Sequence, residues 1–343
     1  MLLNLKNKDL LQVLVWLHIS EAGNKITQFN VYKNKLRRNR YVYLSAVNDA
    51  VATKSIGPLN YIRGYFNIII TMEKQNITTG FQQVDNSQHE FLAKFLEDVA
   101  ALPVVEEGFN EQLRLLDIKP GNHVLDVGCG IGIQAHAMAK RVAPTGKVIG
   151  TDISQVMIDI AKNKNATSGL SLEFYMADAA VQPFPDKSFD AIRTERVLMY
   201  VHDTRLAIKE FKRLLKPGGR LVIFDFDWDG ILIAHKDKVL TRQIIRYAAD
   251  SFPNGRIGAD LYVQLRNAGF KNAGVKPSSY FGNTEIMLSI MKRVYEGILQ
   301  TGVANKVFTQ EAIDKWWKVL EEDTVAGDFF MSFQGFIGYG TND

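Results

Sequence analysis

Three aspartates of this chain stand at the ends of predicted strands, and a glycine-rich turn separates the first two. Asp126 precedes the turn in VLDVGCGIG, Asp152 follows twenty residues after it, and Asp178 ends the next strand. The glycines of the turn are Gly128, Gly130 and Gly132. Glycine lets backbone N–H groups approach a ligand closely, and the N-terminus of the following helix favours negative charge. The pattern is typical of a site for a nucleotide-like ligand that the turn contacts.

The spacing of the glycines argues against two common nucleotide sites. A dinucleotide-binding turn requires G-x-G-x-x-G, and Ile133 stands where its last glycine would be. A phosphate-binding P-loop requires Gly-Lys followed by Ser or Thr, which this turn does not have. Recognition of a pyrophosphate is therefore disfavoured.

The three carboxylates predict a different ligand. In a doubly wound sheet the carboxyl ends of the strands share one edge, so Asp126, Asp152 and Asp178 can line one crevice. Asp152 is placed to accept hydrogen bonds from a ribose diol, Asp178 to accept from an adenine amino group, and Asp126 to lie near a positively charged group. A ligand with these parts and no phosphates is S-adenosylmethionine. Each aspartate alone fits a helix cap or a solvated turn, but the three together favour this cofactor.

Strands and helices alternate along this part of the chain. The predicted strands are 124–127, 146–152, 172–177, 189–194, 220–226, 272–281 and 329–339. Alternation at this spacing predicts βαβ units and a doubly wound, mainly parallel α/β sheet. A helical block at about 284–322 is longer than a hairpin needs, and it is predicted to be a cap over the ligand site. Its apolar stripe is more typical of a core than of a pocket. The stripe consists of Ile286, Met287, Ile290, Met291 and Val294.

The positive charge of the chain is confined to its N-terminal part. The net charge of 343 residues is +4, but residues 1–71 contain ten Lys/Arg and three Asp/Glu, whereas residues 72–343 contain 31 against 34. We therefore predict a basic N-terminal extension (1–71) and a working domain (72–343) that begins at Met72. The extension is interpreted as an appendage. The competing hypothesis is a basic arm that contacts a membrane or a nucleic acid.

The bulk composition is that of an ordinary globular protein of the cytoplasm. The longest apolar run, residues 10–19, is far shorter than the roughly 20 residues that cross a bilayer, and it makes a poor signal peptide. The single cysteine, Cys129, excludes an internal disulfide and a cysteine-based metal cluster. Because no base lies near it in sequence, Cys129 is predicted to be a small residue that fits the turn and not a nucleophile.

Four segments together resemble those of the class I S-adenosylmethionine-dependent methyltransferases. They are VLDVGCGIG, the acid in VIGTDIS, MADA and LLKPGGRLVI. The chain is most similar to the ubiquinone/menaquinone-biosynthesis-type and related small-molecule methyltransferases, over about residues 80–343. The resemblance implies a Rossmann-like sheet of seven strands with the last one antiparallel. It also implies cofactor contacts at Asp126, Gly128, Gly130, Asp152, Ile153, Asp178, Ala179 and Arg196. Many relatives carry a histidine where this chain has Tyr200.

Methyl transfer from a sulfonium requires alignment of the reactants and exclusion of water, and it does not require a catalytic triad. A general base helps if the acceptor is a hydroxyl or an acidic ring carbon. Tyr200, His202 and Asp227 follow the fourth and fifth strands and are the predicted catalytic residues. For His202 the alternative is a structural or solvated histidine. For Asp227 it is a solvated carboxylate, and Trp228 beside it is an equal candidate for substrate contact.

Several methyl acceptors are disfavoured. The segment TERVL after the fourth strand lacks the Asn/Asp-Pro-Pro-aromatic signature of amino-group DNA methylation. Cytosine C5 methylation needs a cysteine nucleophile outside the glycine turn, and Cys129 in the turn is the one cysteine of the chain. Glu195 stands alone there, so no metal site is predicted. We predict a cytoplasmic methyltransferase that uses S-adenosylmethionine to methylate a small, hydrophobic molecule at carbon, oxygen or nitrogen. The alternative is a protein that binds the cofactor without methyl transfer, or that its basic arm recruits to a nucleic-acid or membrane surface.

Overall fold

The computed structural model describes residues 13–19, 26–33, 85 and 89–343. Contacts divide the chain into two units, Met1–Tyr61 and Ile62–Asp343. In the first unit, strands β1 (Val13–Ile19) and β2 (Ile26–Lys33) pair antiparallel. The predicted boundary between residues 71 and 72 lies outside the described residues, as does the predicted start at Met72.

Seven strands of the second unit form one sheet in the order β5-β4-β3-β6-β7-β9-β8. They are β3 (His123–Val127), β4 (Lys147–Asp152), β5 (Leu172–Met176), β6 (Phe189–Glu195), β7 (Leu215–Ile233), β8 (Lys271–Gly282) and β9 (Met331–Thr341). Strand β9 is antiparallel to both its neighbours, and the pairs among β3 to β7 are parallel. The predicted doubly wound sheet with an antiparallel last strand is confirmed. The strand order reverses between β3 and β6, where open α/β sheets bind ligands beyond the carboxyl ends of their strands.

The helices that surround the sheet follow the alternation of the sequence. They are α1 (His89–Ala100), α2 (Pro103–Leu116), α3 (Ile133–Val142), α4 (Gln155–Asn165), α5 (Thr204–Leu214), α6 (Lys238–Asp250), α7 (Ile257–Asn267), α8 (Glu285–Ala304) and α9 (Gln310–Ala326). Val124 and Leu125 in β3 are fully buried, as are Leu221 and Val222 in β7. Such continuous apolar runs are typical of strands covered on both faces. Among the described residues no helix is long and apolar enough to cross a membrane.

Strand β7 is longer than the predicted segment 220–226. It begins at Leu215, and its pairing with β6 changes register between Phe189 and Ala191. It also continues to Ile233, so that Trp228 belongs to the same strand as the predicted segment. The additional length extends one wall of the site described below.

The predicted helical block consists of α8 and α9, which lie between β8 and β9 in sequence. The apolar stripe of α8 divides into three environments. Met291 is fully buried in the core and Ile286 is 65% exposed, whereas Met287, Ile290 and Val294 line a cavity. The predicted core role is confirmed for Met291 and Val294, which belong to the buried core, and Met287 packs against that core. Ile290 lines the cavity without belonging to the core, so the core role is wrong for this residue.

Candidate functional site

A cavity of about 580 Å³ lies beyond the carboxyl ends of β3, β4 and β6, and residues of α1, α2 and α8 complete its walls. We distinguish two parts of its lining. The glycine side comprises residues 126–131, 133–134, 152–153 and 177–180. Gly132, a predicted cofactor-binding residue, does not line the cavity. The aromatic side comprises Phe224, Phe226, Trp228, Phe252, Tyr280 and Phe333. A cavity of this size accommodates small-molecule ligands, whose pockets are about 300–1,000 Å³.

The turn after β3 requires glycine for steric reasons. Gly128 has a φ of 70°, and a Cβ there would overlap the side chain of Val197. Gly132 has a φ of 78°, and a Cβ there would lie 2.6 Å from the ring of Phe174. Residues with a Cβ rarely adopt this left-handed conformation. The backbone of the turn can therefore approach Val197 and Phe174 this closely only where the residue has no side chain.

The N–H groups of the turn are bonded within the protein. Gly128 donates to the Thr151 carbonyl at 2.7 Å, and Gly130 donates to Asp152 Oδ2 at 2.9 Å. The sequence predicts that such groups face the ligand. At these glycines the donors are already used, and the turn instead contributes a close approach and a fixed position for the Asp152 carboxylate.

Two of the predicted cofactor-binding aspartates end β4 and begin the loop after β5. Asp152 accepts backbone N–H groups on both carboxylate oxygens, and burial raises its pKa. Asp178 is exposed and accepts the N–H of Ala180 at 2.7 Å. Ile153 is 66% exposed beside them, whereas Ala179 is buried. Each carboxylate keeps oxygen lone pairs for a ligand, and all four predicted residues line the cavity.

Asp126 belongs to a buried charge cluster that the sequence analysis does not predict. Arg193 donates to Asp126 Oδ1 at 2.9 Å through Nη1 and to Gln112 Oε1 at 2.8 Å through Nε. Its Nη2 bonds Glu195, which also accepts from Gln112 at 3.0 Å. Burial raises the pKa of Asp126, and Arg193 opposes the shift. The carboxylate that the sequence predicts to face the cationic end of the ligand is thus already paired, through Oδ1, with a guanidinium of the protein itself.

Glu195, predicted to stand alone, is paired on both oxygens. Oε2 bonds Arg193, and Oε1 lies 3.0 Å from Nη2 of Arg196. Burial raises the pKa of Glu195, but the two arginines lower it by more, so the pKa is below its usual value. The sequence does not reveal these arginine partners, because Asp126 and Arg193 become neighbours only across β3 and β6, which is a contact between distant segments. Arg193 lies between two residues that are buried in a central strand, Ile192 and Thr194, and an arginine at such a position is the signal that a buried partner exists.

The three predicted catalytic residues occupy different places. Tyr200 ends a 3₁₀ turn and lines the cavity, where burial raises its pKa. His202 is exposed at the rim. Asp227 does not line the cavity, because Oδ1 accepts the N–H of Gly230 and Oδ2 accepts the N–H of Ala259, each at 3.0 Å. These bonds hold the start of α7, and the catalytic role predicted for Asp227 does not fit this position.

The aromatic side is built by side-chain packing. The ring of Phe226 lies 5.6 Å from that of Tyr280 and 6.2 Å from that of Trp228. Trp228 stacks on Phe252 at 4.4 Å and 21° and donates through Nε1 to the sulfur of Met199 at 3.2 Å. Of these residues, only Trp228 is predicted from the sequence to contact the substrate. The alternation FDFDW was the available signal, because alternate residues of a strand share one face.

Cys129 is buried in the turn, and burial raises the pKa of its thiol well above the usual value. The thiol is therefore protonated at neutral pH and fits the predicted role of a small turn residue. In the part of the chain that the structure describes, no group of three or more His, Cys, Asp or Glu side chains is arranged to hold a metal ion.

Comparison with known proteins identifies the relatives of this chain. The methyltransferase domain family matches residues 125–223. The ubiquinone/menaquinone biosynthesis C-methyltransferase UbiE of Ectopseudomonas mendocina is 34% identical over 173 residues, which are 46% of this chain and 68% of that protein. An uncharacterized 37.1 kDa protein in transposon TN4556 of Streptomyces fradiae is 37% identical over 69% of this chain and 68% of its own length. The crystal structure of the YcgJ protein from Bacillus subtilis aligns over 69% of this chain and 98% of that one, with 18% identity and a TM-score of 0.49.

Proposed function

Because the chain belongs to the class I S-adenosylmethionine-dependent methyltransferases of the ubiquinone/menaquinone-biosynthesis type, we propose that it methylates a small acceptor with an apolar, aromatic body. The aromatic side of the cavity carries this proposal. Its six rings share one cavity with the glycine side. Rings in offset or edge-to-face contact favour a planar apolar ligand.

The residues of the glycine side fit S-adenosylmethionine. In this proposal Asp152 accepts the ribose hydroxyls, Asp178 accepts the adenine amino group, and Ile153 packs on the adenine ring. Asp126 Oδ2 is buried and has no hydrogen-bond partner among the described residues. Buried polar atoms are nearly always paired, so this oxygen is the acceptor that we assign to the amino group of the cofactor.

When bound, S-adenosylmethionine supplies a methyl group on a positively charged sulfur. The residues of the chain position the acceptor and exclude water from it. Tyr200 stays protonated at neutral pH because burial raises its pKa, so it can donate a hydrogen bond but cannot act as a base. Among the three predicted bases, His202 at the rim is the one that we propose for an acceptor that must lose a proton.

Incubation with methyl-labelled S-adenosylmethionine and a metabolite extract tests the proposed function. We expect a labelled product that partitions into organic solvent. Binding of the cofactor without any labelled product would favour the alternative of a protein that binds it and does not transfer the methyl group. We also propose a cytoplasmic reaction, on the support of a single, reduced cysteine.

The cofactor site is tested separately by Asp152→Ala, with binding of S-adenosylhomocysteine measured by calorimetry. Loss of a charged hydrogen-bond acceptor costs about 1.5–3 kcal/mol, or roughly 10- to 150-fold in affinity. Asp186→Ala is the matched control, because Asp186 is exposed and pairs with Arg213 away from the cavity. Unchanged affinity of the Asp152 variant would contradict the ribose assignment.

A further inference from the structure

Arg193 and Arg196 both pair with Glu195, but they differ in how many partners their guanidinium groups have. Arg193 is 3% exposed, and each of its three guanidinium nitrogens has a protein partner. Arg196 makes one ion pair, from Nη2 to Glu195 Oε1. Among the described residues this is the only partner of its guanidinium. Arg193 is therefore committed to the structure, whereas Arg196 keeps donors available beside the cavity that it lines.

The backbone fixes Arg196 where its side chain can serve the cavity. Its φ is 57°, in the left-handed region that few residues other than glycine adopt. Its N–H donates to the Phe224 carbonyl at 2.8 Å, which ties the residue to β7. The Glu195 carboxylate, itself held by Arg193 and Gln112, orients the guanidinium of Arg196 through their ion pair. A left-handed residue held at both ends is a strained feature of the kind that occurs at ligand sites.

Arg196 lies beside the aromatic side of the cavity, because its N–H bonds the carbonyl of Phe224. It follows β6, and β6 and β7 lie on the opposite side of β3 from β4 and β5, whose ends carry Asp152 and Asp178. Its charge lowers the pKa values of Tyr280, Tyr200 and Asp225, although burial, the larger effect, raises all three. Arg196 is thus close to Phe224 and Tyr280, two of the residues that we assign to the acceptor. One strand, β3, separates it from the ribose residue Asp152, and two strands separate it from the adenine residue Asp178.

We propose that Arg196 binds a carboxylate of the methyl acceptor, so that the substrate class is a small aromatic or apolar acid. The inference rests on the proposed function and names the substrate class of the same site. A guanidinium forms strong, directional hydrogen bonds with a carboxylate, and an apolar cavity strengthens them. The negative charges of Asp126 and Glu195 already balance the positive charges of Arg193 and Arg196. The carboxylate of the acceptor adds one negative charge, which the net positive charge of the cofactor balances.

The same chemistry has a second possible source, the carboxylate of the cofactor itself, for which the sequence analysis predicts a contact at Arg196. The test separates the two sources with one matched pair of ligands. Binding of 2-naphthoate and of 2-naphthamide, its neutral analogue, is measured by calorimetry with S-adenosylmethionine present, because its sulfonium supplies the charge that balances the carboxylate. Binding of S-adenosylhomocysteine alone is measured in parallel. The full chain is used throughout.

Two variants remove or retain the charge. Arg196→Asn suits the left-handed backbone, which asparagine tolerates, and Arg196→Lys keeps a cation. Arg220→Gln is the matched control, because Arg220 is exposed and pairs with Asp117 outside the cavity. We expect the wild type to bind naphthoate at least tenfold more tightly than naphthamide. Arg196→Asn should abolish this preference and leave the affinity for S-adenosylhomocysteine within twofold, and Arg196→Lys should retain part of the preference.

Three results would overturn the inference. The first is a wild-type protein that binds naphthoate no better than naphthamide, which needs no variant and so does not depend on folding of the substituted chains. The second is an equal loss for both ligands in Arg196→Asn. The third is a preference that survives Arg196→Asn while S-adenosylhomocysteine affinity falls tenfold, which would assign the arginine to the cofactor. Failure of the proposed function is distinguishable, because it appears as the lack of a labelled product from the extract.

Discussion

The glycine side and the aromatic side of the cavity are held by different forces. Backbone conformation shapes the glycine side, where Gly128 has a left-handed φ and Asp152 is fixed by main-chain N–H groups. Packing of large rings shapes the aromatic side, as in the stack of Trp228 on Phe252. One added methyl group is enough to disrupt the glycine side, whereas the shape of the aromatic side changes gradually with side-chain size. The glycine side, which we propose for the cofactor, therefore tolerates little change, whereas the aromatic side, which we propose for the acceptor, tolerates changes in side-chain size.

The two sides also differ in how their residues are distributed along the chain. The glycine side comes from consecutive βαβ units within residues 126–180. The aromatic side combines β7, β8 and β9 with Phe252 after α6. The cluster of Arg193 with Asp126 and Glu195 lies where the two sides meet, because β6 pairs with both β3 and β7. Substitutions there should affect both sides, and substitutions elsewhere should affect one.

Arg193→Met should have the largest effect. It leaves the buried carboxylates of Asp126 and Glu195 without their shared partner, which costs about 3–5 kcal/mol of unfolding free energy. Urea unfolding measures the loss. A triple variant that adds Asp126→Asn and Glu195→Gln removes the uncompensated charges and should recover more than half of it. If the single and triple variants are equally unstable, packing of the arginine and not its charge holds the cluster.

Gly128→Ala tests the backbone-built side. The new Cβ overlaps Val197 at a φ of 70°, so strain and overlap together should cost about 3 kcal/mol and abolish cofactor binding. Gly218→Ala is the matched control, with a φ of 77° and no atom within 4 Å of the added Cβ. It should cost about 1 kcal/mol and leave binding of S-adenosylhomocysteine unchanged. Equal effects of the two substitutions would show that the left-handed φ alone matters.

The fold and the glycine side could be predicted because their signals are local. Strand and helix periods, the glycine spacing and the acids at the ends of strands all lie in short segments. Residues 126, 152 and 178 are brought to one edge by a general rule of parallel sheets. The helices of the block after residue 284 were predictable for the same reason, since Thr284 caps α8 by accepting from Met287 and the apolar period follows.

The aromatic side and the charge cluster could not be predicted because they depend on contacts between distant strands. Asp227 and Trp228 are adjacent in sequence, but alternation along β7 sends Trp228 into the cavity and Asp227 to the N–H of Ala259. Arg193 meets Asp126 only after β6 has paired with β3 in a particular register. No single segment contains that register, so Glu195 looked isolated in sequence.

Asp225 makes the aromatic side sensitive to pH. It is fully buried on β7 and accepts the N–H of Leu198 at 2.9 Å, and burial raises its pKa to about 7. A carboxyl whose pKa is higher in the folded state stabilises that state at low pH, and the contribution is lost as the pH rises through 7. We expect the wild type to lose about 2 kcal/mol between pH 5.5 and 8.5 relative to Asp225→Asn, which does not titrate. Parallel stability profiles in urea would contradict this.

Ile290→Ala should have the smallest effect. It tests whether α8 forms part of the wall that we propose for the acceptor. Ile290 lines the cavity from α8, whereas Ile286, one turn earlier, is 65% exposed and does not line it. Removal of part of an apolar wall should weaken 2-naphthoate binding about fivefold, or roughly 1 kcal/mol, with S-adenosylhomocysteine affinity unchanged. Ile286→Ala should change neither. If Ile290→Ala weakens S-adenosylhomocysteine and naphthoate equally, α8 covers both ligands and the two sides of the cavity are not independent.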